Sequence, residues 1–600
     1  LELSSVSFIG NKNEFVLPVK DFFMKYTMPN YQSCPHYCRK ALFCLLTLCI
    51  TLSTINAIAR IQGTSSEEAQ KRQQLYYLCK VWGYLYYYHP ASENGARLRE
   101  DILRTHIDNI LASSGTSTDT TAIRSLVASL IKDFGMPSAP RQLPANSWNN
   151  LGMIPNTDFH WLRDSVFDES VRRELEAVPL VSLPLQTMYF IKKDTSGMAT
   201  IYFKPVLMNT VIRKTESLMA LCIFWNAFNY FSPHKKLVSK NWDSVLVEYI
   251  PQFLRVTTNA EYVRILMKLA SQLNDSHMYV SSPDMPSVLG KYTIPLRFVL
   301  LGSQVVVQES LCCDSLKLKG LVVKEINGTP IDSLLARNTP LVSASNGAVL
   351  QRGLARLLRF SHMQEASFIF SDGVESKRVV IECTPQPSSN AQQARQQKSF
   401  YRLLETPDKD TIVYVDMSVL QNRDMSTVFQ VIAGKRGVIF DLRSYPNLTL
   451  LNLMQRLANP RSYMAISLME LQYPGYNSKP QVLTCGRRQE YFGKIVVLVN
   501  EYTQSQGEST VQGLRTIPGM NIVGSQTAGA NGEVMKVVLP MNATVHFTHN
   551  AVFDTEMKSM QGVGILPDVE VRPTAEGIRA GRDEVLEKGV DVLRGLLKTK

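Results

Sequence analysis

The sequence predicts a multidomain α/β protein: a helical, duplicated N-terminal region, then a small β domain, then a C-terminal α/β domain. Three observations carry that expectation. Cys, Trp and Pro recur at an offset of 143 residues, as Cys79/Cys222, Trp82/Trp225 and Pro90/Pro233. Short strands with Asn-Gly and Asp-Gly turns occupy residues 291–384. Continuous apolar runs, separated by helical stretches, begin near residue 400. At roughly 100–200 residues per domain, a chain of 600 residues calls for three or four domains.

Residues 1–59 read as a signal peptide and leader. Arg39-Lys40 precede the apolar run Ala41–Ile50, and Ala57-Ile58-Ala59 supplies an A-x-A cleavage site. Met24 and Met28 are both plausible starts. The run is short and interrupted by Thr and Ser, so it predicts export, to the periplasm or the medium, with no stable membrane span afterwards. An uncleaved N-terminal anchor is the alternative.

Residues 60–290 hold the duplication. The first copy reads Leu78-Cys79-Lys80-Val81-Trp82 and the second Leu221-Cys222-Ile223-Phe224-Trp225, each followed by an aromatic cluster. Helical apolar spacing continues the second copy at Val245, Tyr249, Ile250, Phe253 and Leu254. Large aromatics at that spacing pack cores more often than they line ligand platforms. Between the copies, residues 138–212 are Pro-rich and then strand-like at Thr200–Phe203.

In the β domain, Gly320–Ile331 reads as a strand, an Asn327-Gly328 turn and a helix start near Asp332. A hairpin about Asp372-Gly373 pairs Ser367–Phe370 with Val379–Cys383. Residues 385–399 form a Gln/Ser/Pro linker. In 400–600 the predicted strands are Ile412–Val415, Val438–Phe440, Ile495–Val499, Ile522-Val523 and Val569–Val571, with a closing helix over Ala575–Leu597.

Hydrophobic residues make up 45% and charged residues 19%, which excludes a disordered or fibrous chain. The net charge of +12 is diffuse, and no basic block interleaved with aromatics supports nucleic-acid binding. Six of the ten cysteines follow the leader, at 79, 222, 312, 313, 383 and 485. None has metal-ligand spacing, so buried free thiols are expected and neither metal nor cofactor is required.

The sharpest segment is Ile495–Glu508, a buried strand running through a polar turn into a helix over Ser509–Ile517. Ser505 falls at the helix N-terminus, where unpaired N–H groups and the dipole favour an oxyanion. A serine at such a position is ordinarily an N-cap.

Five ordered motifs weigh against that reading. Val499-Asn500 through Thr503, Ser505 and Glu508 resembles the nucleophile motif of the C-terminal processing, or tail-specific, protease family. Asp441-Leu442-Arg443, Gly524–Gly529 and Gly564-Ile565-Leu566-Pro567-Asp568 resemble its other core motifs, and Gly320–Ile331 resembles its PDZ domain. The resemblance covers about 270–575. It implies a PDZ-like β domain at 291–384 and a crotonase/ClpP-like α/β protease core at 400–600, with Ser505 as nucleophile.

The general base departs from the Ser/Lys members, because the position 25 residues after Ser505 is Ala530. Leu273-Asn274-Asp275-Ser276-His277 resembles the Ser-His pair of the tricorn-core-like branch, which implies His277 as base, Ser276 as its orienting neighbour and Gln561 in the place of a relay glutamate. The resemblance also implies backbone N–H groups of Gln506 and Asn447 as oxyanion donors, although Pro446-Asn447-Leu448 replaces the usual Pro-Gly-Gly. Glu508 is expected to be structural. The expected function is an exported serine peptidase acting on a peptide or protein substrate engaged by its C-terminal segment. The alternatives are a catalytically weak relative that binds peptides or apolar ligands, and a surface scaffold.

Overall fold

The structure, a computed structural model, describes residues 66–89, 99–113, 120–135, 154–178, 191–193, 198–202, 211–311, 314–386, 399–405, 411–458, 463–469, 471–473, 475–484, 487–554 and 556–598. The signal and leader expected at 1–59, and the linker from 387 to 398, lie outside them. Residues 1–70 with 115–118 form one compact unit, of which only 66–70 are described, all helical. Residues 71–114 and 119–600 form the second unit, and everything below concerns it, the first helix from Lys71 onward.

The N-terminal region includes, among other helices and strands, α1 (Ser66–Tyr88), α2 (Lys214–Phe231), α3 (Trp242–Leu254) and α4 (Asn259–Ser271), and the short strands β1 (Ile191–Lys193), β2 (Ala199–Ile201) and β3 (Tyr279–Ser281). The aromatic clusters around Trp82 and Trp225 are buried in its core, Trp82, Tyr86 and Tyr88 with Trp225, Phe228 and Tyr230. Truncating such a side chain, as in Trp225→Ala, costs about 3–5 kcal/mol. Trp82 Nε1 donates to Arg99 O at 3.0 Å and Trp225 Nε1 to Trp242 O at 2.8 Å, each across 17 residues. The helices α1 and α2 touch where Gly83 meets Asn226: a Cβ on Gly83 would lie 1.9 Å from Asn226 Oδ1. Cys79, Cys222 and Cys383 are buried free thiols. Helix α4 starts at a capping box, Thr258 accepting from the Glu261 N–H and Glu261 reaching back.

The β domain contains β4 (Leu296–Leu301), β5 (Gln304–Ser310), β6 (Val322–Ile326), α5 (Ile331–Asn338), α6 (Gly347–Leu357), β7 (Glu365–Ser371) and β8 (Ser376–Glu382). Its sheet runs β8-β7-β6-β5-β4, every pair antiparallel. Asn327 and Gly328 both take positive φ, +52° and +72°, as the Asn-Gly turn demands. Thr384-Pro385 pairs with Tyr292-Thr293, so the first linker residue belongs to this domain.

The C-terminal domain contains β9 (Tyr401–Glu405), β10 (Thr411–Asp416), α7 (Met425–Ile432), β11 (Gly437–Asp441), α8 (Leu450–Leu457), β12 (Lys494–Val499), α9 (Gln506–Arg515), β13 (Asn521–Gly524), β14 (Val534–Val538), β15 (Thr544–Thr548), β16 (Val569–Glu570) and α10 (Glu584–Lys598). The main sheet runs β9-β10-β11-β12-β13-β16 and is parallel except for β9. Its apolar runs are continuous because both faces are covered. Val438, Phe440, Val497 and Val499 join α7–α9 in one core, and Ile439, Val496, Leu498 and Val523 join α10 in another. The closing helix breaks where Gly581 takes φ +71°, so α10 starts only at Glu584.

A third sheet runs β1-β2-β14-β15-β3. It interleaves strands from both ends of the chain, and through it the end of α4 is anchored beside the C-terminal domain.

Candidate active site

Strand β12 leads into the segment expected to carry the nucleophile. Asn500 N donates to Thr503 Oγ1 at 3.1 Å, and the Thr503 hydroxyl donates to Leu442 O at 2.8 Å. That pins the turn against the Asp441-Leu442-Arg443 strand end. Ser505 then takes φ +55° and ψ −117°, and α9 begins at the next residue, three earlier than the sequence suggested. A non-glycine residue there stores of order 1–3 kcal/mol of strain, so its surroundings must hold it. Ser505 N donates to Ala530 O at 2.9 Å and to Glu508 Oε2 at 3.2 Å. Ala530, standing where a lysine would supply the base in Ser/Lys relatives, contributes its backbone instead.

Glu508 is fully buried and collects the Thr527 hydroxyl at 2.6 Å and the N–H groups of Gly529 at 2.8 Å and Ala530 at 3.1 Å. Burial pushes its carboxyl above the ordinary carboxylate range, against the pull of those donors. The Thr527 oxygen also accepts from Ile565 N at 2.7 Å, so a third sequence motif is linked to this carboxylate through Thr527.

The segment expected to carry the base follows α4. His277 N donates to Asp275 Oδ1 at 2.9 Å, and His277 Nδ1 lies 2.9 Å from Thr548 Oγ1. The Thr548 hydroxyl donates to Asp275 Oδ1 at 3.0 Å, and Thr548 N to Asp275 Oδ2 at 2.7 Å. A hydroxyl has one proton; given to the carboxylate, it leaves Thr548 Oγ1 to accept from His277. The Nδ1 atom therefore carries the ring proton, and Nε2 is left as the basic atom. Burial lowers the His277 pKa, Asp275 raises it and Arg352 lowers it, for a net value below the usual 6.5. The ring is neutral at pH 7.

The two segments are tied together beside their reactive groups. Gln504 Nε2 donates to Ser276 O at 3.2 Å, and its Oε1 accepts from Arg352 Nη2 at 2.8 Å. Arg352, on α6 of the β domain, also donates to Glu501 O at 2.6 Å. No hydrogen bond joins the Ser505 hydroxyl to His277 among the described residues; such bonds are often long until substrate is bound.

Three expectations are corrected. Gln561 does not reach the imidazole: its Nε2 donates to Asp275 Oδ1 at 3.0 Å, because a carboxylate is the stronger acceptor for an amide N–H, and its Oε1 is buried without a hydrogen bond. Ser276 does not orient the ring either; its Oγ lies 2.9 Å from Ser345 Oγ and donates to Ala528 O at 3.3 Å. The Asn447 N–H is turned to Met417 O at 3.4 Å, because its side chain is tied to Ser418 O and Leu420 O. The Gln506 N–H, by contrast, meets no protein acceptor among the described residues. Asp275 and Thr548 are the residues that sequence reasoning missed. Asp275 was visible two positions before His277, but Thr548 lies in a strand without a motif.

Among the described residues no group of three or more His, Cys, Asp and Glu could hold a metal ion. Lys536 sits on β14 opposite His546, two strands from β3.

Residues 411–571 match the family model for peptidase family S41. The chain carries an S41 peptidase domain. S41 enzymes are serine peptidases, and the match spans Ser505 and the motifs linked through Glu508 and Thr527. Among solved structures, mature CPAF complexed with lactacystin is 14% identical with a TM-score of 0.53, over 64% of this chain and 99% of that one. Mature CPAF alone gives 14%, 0.52, 64% and 98%. The photosystem II D1 C-terminal processing protease gives 16% identity and a TM-score of 0.38, over 62% and 98%. At these identities the CPAF likeness speaks for the fold. No curated protein matches the sequence.

Proposed function

We propose that this S41 protein is an exported peptidase that cleaves peptide bonds through a Ser505 acyl-enzyme with His277 as base. The observation that carries the proposal is the proton arrangement at His277. Asp275 and Thr548 fix Nδ1–H, which leaves Nε2 free beside the segment that holds Ser505 in its strained turn. His277 Nε2 takes the Ser505 proton as Oγ attacks the carbonyl carbon, then gives it to the leaving amine. A water deprotonated by the same nitrogen releases the acyl group. The Gln506 N–H at the start of α9 faces the developing oxyanion, aided by the helix dipole. Asp275 stabilises the imidazolium through the Thr548 hydroxyl.

The β domain acts as a PDZ-like module that receives the C-terminal segment of a protein substrate by strand addition. The equal 17-residue reach of Trp82 and Trp225 supports the duplicated ancestry of the helical region. Export rests on the sequence of 1–59; no helix among the described residues is long and apolar enough to cross a membrane.

A second reading, a peptide-binding relative with little turnover, is favoured by one observation, the engaged Asn447 N–H, which leaves the oxyanion site one donor short. Hydrolysis of an unstructured peptide ending in apolar residues separates the two. The first reading requires turnover that disappears in Ser505→Ala. Binding without turnover supports the second.

A further inference from the structure

Cys79 and Cys222 belong to a stripe of positions that meet their own equivalents. At the 143-residue offset, Cys79 corresponds to Cys222, Gly83 to Asn226 and Tyr87 to Tyr230. A Cβ on Gly83 would overlap the Asn226 side chain, and the rings of Tyr87 and Tyr230 lie 5.0 Å apart between centroids. The neighbouring contacts are reciprocal, Tyr87 with Phe231 at 5.1 Å and Tyr88 with Tyr230 at 5.7 Å. The pairs follow in the same order along α1 and α2 at intervals of four residues. The two helices therefore run in the same direction, with equivalent positions at equal height.

At the level of the cysteines one amide joins both backbones. Asn226 Nδ2 donates to Cys79 O at 2.8 Å and to Cys222 O at 2.9 Å, and lies 3.5 Å from Cys79 Sγ. The Cys79 thiol is within hydrogen-bonding reach of the Cys222 thiol, and both residues are buried. Gly83, one turn further on, lacks the side chain that would hold the helices apart. Parallel helices brought this close present equal-height residues Cβ to Cβ. That is the approach a disulfide needs, with Cβ atoms roughly 3.5–4.5 Å apart and Cα atoms closer than about 7 Å. Cys383, the remaining free cysteine among the described residues, is buried in the core of the β domain.

We infer that Cys79 and Cys222 are an oxidisable pair, closing a disulfide that staples α1 to α2 when the chain folds in the presence of a disulfide oxidant. One cysteine thiolate attacks the oxidant's S–S bond, which forms a mixed disulfide and releases one oxidant thiol. The other thiolate attacks the cysteine sulfur of that mixed disulfide and expels the second oxidant thiol. Two protons and two electrons leave the cysteines, and the oxidant is reduced to two thiols. Burial holds the Cys79 thiol protonated in the folded chain, and the Cys222 thiol beside it adds to that. Exchange therefore belongs to folding, before the stripe is covered, and the finished bond is shielded. The inference is independent of the chemistry at Ser505.

The test uses the full chain, refolded in parallel in a mixture of oxidised and reduced glutathione and in dithiothreitol. Each sample is unfolded in iodoacetamide without further reductant, digested and mapped by mass spectrometry. The glutathione sample should yield the Cys79 peptide joined to the Cys222 peptide, and the dithiothreitol sample should yield both alkylated. The oxidised chain should melt roughly 5–10 °C above the reduced one, because the bond closes a long loop in the unfolded chain. Cys79→Ala should give no cross-link and a melting temperature that ignores the reductant. If that variant does not fold, the peptide map and the two melting temperatures of the wild-type chain decide the matter. Full alkylation of both cysteines after glutathione, pairing of either with a different cysteine, or equal melting of the oxidised and reduced chains overturns the staple.

Discussion

Replacing Thr548 by Val keeps the size and β-branching of a buried strand residue and removes only its hydroxyl. Two hydrogen bonds go with it, His277 Nδ1–H to Oγ1 at 2.9 Å and Oγ1–H to Asp275 at 3.0 Å. Asp275 keeps the Thr548 and His277 backbone N–H groups and the Gln561 amide, so the fold should survive. The imidazole, however, loses the group that fixes its tautomer and couples it to a buried carboxylate. A hydrogen bond in a charge-assisted chain contributes about 2–3 kcal/mol, which is roughly 30- to 150-fold in rate at 1.4 kcal/mol per tenfold. That loss should fall on kcat, because Thr548 is fully buried and its hydroxyl is engaged by His277 and Asp275. Thr548→Ser, which restores the hydroxyl, should recover all but a small part. Steady-state hydrolysis of an unstructured peptide by wild type and the two variants measures this. A Thr548→Val enzyme within threefold of wild type would show that the relay does not run through this hydroxyl.

Four other outcomes are expected. Activity should rise with pH and level off, with an apparent pKa below 6.5, because burial depresses the His277 pKa and only the neutral ring is a base; a pH–rate profile with a midpoint above 7 contradicts this. Lys536→Ala should leave turnover within a few-fold of wild type while His277→Ala lowers it by several orders of magnitude, as Ser505→Ala does; the reverse ranking in the same assay would make Lys536 the base. Glu508→Gln should lower the melting temperature by several degrees, because an amide turns a donor toward N–H groups now held by a carboxylate, about 2–4 kcal/mol, and an unchanged melt would remove its role as the anchor of the loop. Acid should destabilise the fold as pH falls from 6.5 toward 4. His549, depressed to about 4 by burial, and His234 and His277, also depressed, bind protons more readily when unfolded, so their neutral-form stability is lost on that side; equal melting temperatures at pH 7 and 4.5 would contradict it.

What could be read from the sequence was what is local. Runs such as Ile495–Val499 are apolar at every position because both faces of β12 are covered, and that pattern survives without knowing the neighbours. The Ser505 turn carried its own signature, although the helix start was placed three residues late because Gln506, Gly507 and Glu508 look like turn residues until Glu508 is seen to be a buried anchor. The closing helix was drawn through Gly581, whose positive φ divides it. The proposed relay was only half legible. His277 stood in a motif, but its partners come through a sheet that joins residues 279–281 to 544–548, and no local pattern records such a pairing. Gln561 was assigned to the imidazole by position in a motif, whereas the geometry gives its amide to Asp275. Asn447 failed as a donor for a similar reason, since its side chain binds Ser418 and Leu420 and carries the N–H away from the site.

The central claim is that His277 makes Ser505 a nucleophile. A fluorophosphonate reacts only with an activated serine, and mass spectrometry of the digested adduct locates it without any knowledge of the substrate. Wild-type protein should be labelled on the peptide containing Ser505, with a rate that follows the neutral fraction of His277, and His277→Ala should label at least a hundredfold more slowly. Absence of adduct from the folded wild-type protein, or equal labelling of His277→Ala, would contradict the account.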